Sequence, residues 1–137
     1  MADKVFDARS IEAIARALGD TGEGLSNSEI DDVSRACRFP IEEPGTKWRR
    51  IYNILANDQN KRQNRKGILA FIRNALKPSI YVKTPERFET LRENLNRALS
   101  FEGIEVQKDG KLNPSNVSTT ISEARRRAAE LRNALEL

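Results

Sequence analysis

Apolar side chains along this chain recur at intervals of three and four residues, the spacing that gathers them on one face of an α-helix. Ile11, Ile14, Ala15 and Leu18 predict a helix over residues 10–18, closed by Gly19. Ser26, with Glu29 three positions on, is a capping-box pair that opens a second helix over 27–37, with Ile30, Val33 and Cys37 facing inward. The two prolines of FPIEEPG predict an extended connector leading to Thr46, an expected N-cap. Trp48, Ile51, Tyr52 and Leu55 then mark a third helix over 46–62, with Trp48 expected to anchor the core. Ile68, Leu69, Phe71, Ile72, Ala75 and Leu76 form a broad apolar face over 66–76, expected to be the most buried helix and stopped by Pro78. Thr84, Pro85 and Glu86 open a fifth helix over 85–101 carrying Phe88, Leu91, Leu95, Ala98 and Leu99. Ile104, Val106 and Leu112 flank an Asp109-Gly110 turn, which predicts a β-hairpin near residues 104–112. A last helix is expected over 120–135.

This pattern predicts a mainly α fold: about six helices in a compact bundle with one small hairpin, the whole of residues 1–137 forming a single domain. Apolar residues at 38% and aromatics at 6% predict a small, mostly aliphatic core. Histidine is absent, which excludes imidazole bases and nucleophile activation by histidine. With Cys37 the single cysteine, an internal disulfide and the common zinc ligand sets are excluded as well. No enzyme activity, metal or cofactor is expected. There is no apolar leader and no membrane-length apolar run, so a cytoplasmic protein without membrane contact is expected.

Charge changes the picture most at TKWRRIYNILANDQNKRQNRKG. This window holds seven Lys and Arg against one Asp, a charge of +6 in a chain whose total is +4. On an ideal helix turning about 100° per residue, with Trp48 at the centre of the buried face, Arg50, Asn53, Asn57, Asn60, Lys61 and Asn64 share the opposite side. Arg62 and Lys66 turn back toward the apolar side. Arg and Lys neutralise phosphates, and Asn can bond a backbone oxygen or a base edge. Arg49, Arg50, Asn53, Asn57, Lys61, Arg62, Arg65 and Lys66 are therefore the candidate contacts to DNA or RNA. The alternative is an ordinary solvated face, although salt-bridged helices normally interleave Glu and only Asp58 is present. The order of the first three helices loosely resembles a helix-turn-helix, with a connector longer than the usual turn.

Other features read more simply. GDTGEGLS lacks the Gly-Lys-Ser/Thr ending of a phosphate loop and reads as a connector. The neighbouring acids Asp31 and Asp32, and Glu42 and Glu43, point apart and offer no two-carboxylate site. Cys37 reads as a small buried apolar residue. Ile121, Ala124, Ala128, Leu131 and Leu135 form a narrow seam that either packs on its own domain or serves a protein partner or homodimer. An apolar surface around Ile80 and Tyr81 is a second place for such a partner.

Taken in order, KWRRIYNIL, ILAFIRNALKPSIYV, PERFETLRENLNRALSFEGIEVQKDGKL and TISEARRRAAELR resemble the amino-terminal half of the Ymh-type bacterial hypothetical proteins, over roughly residues 11 to 135. Those proteins occur in phage, plasmid and restriction or abortive-infection neighbourhoods. Their carboxy-terminal domain resembles HEPN ribonucleases and carries an Arg-Asn and histidine motif. Without histidine this chain is expected to lack that half, and nuclease activity does not transfer. The resemblance implies an accessory module of mobile-element or phage-defence biology. The function expected is non-catalytic nucleic-acid binding or sensing; the alternative is an interaction or oligomerisation adaptor for an effector.

Overall fold

The computed structural model describes residues 5–41 and 45–114. Five α-helices follow one another: α1 (Ala8–Leu18), α2 (Asn27–Ala36), α3 (Lys47–Arg62), α4 (Lys66–Ala75) and α5 (Pro85–Leu99). Short 3-10 turns at Pro78–Tyr81 and Ser100–Glu102 flank α5, and β1 (Ile104–Val106) pairs antiparallel with β2 (Leu112–Pro114). The mainly helical fold with one hairpin is thus as expected. The sixth expected helix, with Ile121, Ala124, Ala128, Leu131 and Leu135, lies outside the described residues, as do Glu42 and Glu43.

Helix boundaries follow local chemistry where side chains cap them. The Asp7 carboxylate accepts from the Ser10 N–H at 2.7 Å and opens α1. Ser26 and Glu29 form the reciprocal capping box of α2. Thr46 and Thr84 occupy the expected N-cap positions but make no side-chain cap bond. Pro85 opens α5, where its missing N–H costs nothing.

One continuous core joins every helix: Ile14 and Leu18 of α1, Ile30 of α2, Ile51 and Leu55 of α3, Ile68, Phe71 and Ile72 of α4, and Leu91, Leu95 and Leu99 of α5 are all fully buried. α1 packs on α3 and α5, and α4 packs on α2 and α3. Trp48 is only partly buried, in contrast to the anchor expected. The Arg16 guanidinium lies 4.0 Å from its ring centroid and that of Arg49 lies 5.4 Å away, so the ring is held between two cations instead of in the core.

The hairpin is a three-residue type. Gly110 donates to Gln107 O at 2.9 Å and Gln107 donates to Lys111 O at 2.8 Å, a turn followed by a bulge that needs the left-handed backbone found at Gly110 (φ 84°). Two strands alone are marginal, and α5 supplies the missing support. The Asn96 carboxamide accepts from Val106 N–H at 2.7 Å and donates to Val106 O at 3.1 Å.

Tyr81, expected on an apolar surface, is buried instead, and its hydroxyl donates to Ala75 O at 2.6 Å. Burial pushes its phenol up to about 12. The unfolded phenol ionises near 10, so the stability that the neutral phenol contributes is complete below pH ~10 and lost as the pH rises toward ~12. Melting temperatures measured across this window should fall more steeply for the parent than for Tyr81→Phe; parallel curves would contradict the burial.

Candidate nucleic-acid interface

The residues 44–85 carry ten Lys and Arg against a single acid, Asp58. What matters is which of these charges α3 presents to solvent. Its buried face is formed by Arg50, Ile51, Ile54, Leu55 and Gln59. Arg49, Asn53, Asn57 and Lys61 are all exposed, in a row that starts opposite this face and winds round the helix until Lys61 lies close to the line of Ile54. They stand four residues apart and form one ridge about 18 Å long at 1.5 Å per residue.

Arg50 does not belong to this ridge. It is 5% exposed, and its guanidinium donates to Asp31 Oδ1 at 2.6 Å and Asn27 Oδ1 at 2.8 Å, both on α2. The expected phosphate contact is therefore a structural tie between α2 and α3. The reason is a rotation: the face is centred on Ile51 and Leu55 rather than on Trp48, which carries Arg50 inward. Arg65 is also diverted. It is partly buried, with its guanidinium 5.2 Å from the Phe6 ring centroid. Lys66 is exposed at the first position of α4, where the Asn64 side chain accepts from its backbone N–H.

Arg62 faces solvent rather than the core, its side chain 51% exposed, and its Nε donates to Asp58 Oδ1 at 2.8 Å. The Asp58 side chain is only 9% exposed. Its Oδ2 lies where a Cβ on Gly67 would sit, so the carboxylate is tucked over the first turn of α4, where a helix dipole favours negative charge. Asp58 thereby offsets the charge of Arg62, and the positive field of the ridge itself rests on Arg49 and Lys61.

Beside the second half of α3 lies a groove of about 300 Å³. Phe39 and Ile54 line it as buried residues and Asp58 as a half-buried one; Arg38, Pro40, Asn57, Lys61 and Arg62 line it as exposed ones. Arg38 was not among the sequence candidates. It follows α2 and adopts the left-handed backbone (φ 60°). Phe39 N–H bonds to Ser34 O at 2.8 Å and Arg38 N–H to Arg35 O at 3.1 Å, the Schellman closure in which glycine is usual. No sequence signal marks an arginine for this position.

Cys37, next to Arg38, is half-buried, with Sγ 3.5 Å from the Asn74 carboxamide nitrogen. Burial raises its thiol pKa, while the Asn74 bond and the charges of Arg73 and Lys77 act in the opposite sense. Arg73 and Lys77 are exposed, so basic surface continues from Arg38 along α4. Among the described residues no group of His, Cys, Asp or Glu could hold a metal ion, and no helix is long and apolar enough to cross a membrane. Set against known proteins, the chain matches no family model, no curated protein and no solved structure.

Proposed function

We propose that this protein is a non-catalytic nucleic-acid-binding or sensing module that contacts phosphates through the exposed ridge of α3, working in the cytoplasm as an accessory part of a prokaryotic mobile-element or phage-defence system. The setting follows the family resemblance. The observation that carries the binding reading is the separation of charge on α3: Arg49, Asn53, Asn57 and Lys61 lie outward, while the single acid, Asp58, is tucked under Arg62. Cations at both ends of the ridge, with Arg62 and Arg38 beside it, suit a phosphate backbone, and the two asparagines between them can bond sugar, phosphate or base.

Fluorescence anisotropy with labelled DNA and RNA across a potassium chloride series tests this. Four phosphate contacts give a slope of log K against log salt of about −3 to −4. Arg49→Glu with Lys61→Glu, both at exposed positions, should stay folded and melt within a few degrees of the parent, Arg49 giving up its place over the Trp48 ring. Their combined effect should be a loss of about 30-fold or more in affinity at low salt and a slope reduced by about two. Unchanged affinity in the double variant would refute the ridge.

A second reading, a docking surface for a protein partner, is favoured by Ile80 and Val82, which are 50% and 75% exposed beside a groove lined by Pro78, Pro85 and Phe88.

A further inference from the structure

We infer that the groove beside α3 receives an unpaired nucleobase, so that the protein takes single-stranded nucleic acid in preference to duplex. This rests on the reading of the ridge as a phosphate track and gives that track a ligand class. The first support is the character of the groove. Phe39 and Ile54, at 7% and 4% exposure, give it an apolar base, with Pro40 at its side. A phosphate gains nothing from such a floor, whereas the face of a base released from its stack does. At about 300 Å³ the space is at the small end of ligand sites, which suits one planar ring system.

The second support is what surrounds that floor. Arg38, Lys61 and Arg62 bring three cations from two different elements to one opening against the single carboxylate of Asp58, which pairs with Arg62, and the surplus is complementary to the phosphates on either side of an inserted nucleotide. Asn57, on the same wall, offers a donor and an acceptor for a base edge. Arg62 is held in place by Asp58 at 2.8 Å, so its position does not have to be fixed on binding.

The third is the backbone of Arg38. A left-handed residue is least costly as glycine, and an arginine there keeps a cation at the opening against that preference. Duplex reading fits less well. A base edge in the major groove is met by side chains that project from a helix, whereas Asn57 stands on the wall of a concavity.

The experiment is anisotropy at one low salt concentration with three labelled oligonucleotides of equal length: a mixed-sequence single strand, its duplex, and a strand with abasic sites throughout. The single strand should bind about tenfold more tightly than the other two. Asn57→Ala should weaken the base-bearing strand about threefold and leave the abasic strand unchanged. Arg38→Gly should raise the melting temperature by about 3 °C and weaken the single strand about threefold. A structural role alone would not give that opposition. Equal binding of all three oligonucleotides would overturn the base groove and leave the ridge standing. An Arg38→Gly variant that melts higher yet binds as the parent would overturn the groove too. Failure of every oligonucleotide to bind would remove ridge and groove together.

Discussion

Arg50→Glu should leave little folded protein at room temperature. The substituted carboxylate would lie, almost excluded from water, where a guanidinium now bonds Asp31 at 2.6 Å and Asn27 at 2.8 Å. Breaking a buried pair by removing one partner costs about 3–5 kcal/mol, and a like charge beside Asp31 adds to that. Domains are stable by only about 5–15 kcal/mol, so the loss is a large share of the total. Arg50→Ala should be milder, since Asp31 keeps access to water through a side chain that is 31% exposed. Urea unfolding followed by circular dichroism measures both. Were Arg50→Glu to unfold at the parent's midpoint and merely bind nucleic acid less well, Arg50 would be a ligand contact after all. A binding assay on this variant without a folding control would mistake collapse for lost recognition.

Gly19→Ala should cost about 2–3 kcal/mol, the upper part of the range for overpacking, because the site cannot give way. A Cβ at Gly19 would stand 2.7 Å from both Cα and N of Trp48 and 3.0 Å from the carbonyl carbon of Lys47, and none of these is a side-chain atom that can swing aside. The first turn of α3 would have to back away from the end of α1. On a chain of this size the melting temperature should drop by roughly 10 °C. The displacement has its own reporter, because Trp48 is the only tryptophan and has the Arg16 guanidinium 4.0 Å from its ring centroid. Its emission should change in the variant under folded conditions. An unaltered melt and spectrum would mean that the two helices do not approach so closely.

Gly19 also shows which parts of the fold were legible. Its place at the end of the first apolar repeat was readable, and so were the capping box, Pro85 and the inward faces of α4 and α5, because each depends on neighbours within one turn or on a period of 3.6. The ridge positions Asn53, Asn57 and Lys61 were legible for the same reason. Arg50 was not. Its partners Asp31 and Asn27 lie 19 and 23 positions away on another helix, and a winding centred on Trp48 rather than Ile51 and Leu55 was enough to turn it outward. The groove was hidden for a related cause, since it exists only where α3 meets Arg38, Phe39 and Pro40. Nor does a left-handed arginine announce itself as a glycine would.

Gln59 binds the fold together in a way that bears on how it comes apart. Its carboxamide accepts from Phe6 N–H at 2.9 Å and donates to Phe6 O at 2.8 Å, taking the part that a neighbouring strand plays toward a peptide. Phe6, two residues ahead of α1, is thereby tied to the last turns of α3. Fraying of the ridge from its Lys61 end would strand two buried peptide groups at Phe6, so local opening there is coupled to release of the segment before α1, and the ridge is held by a part of the chain that no ligand needs to touch.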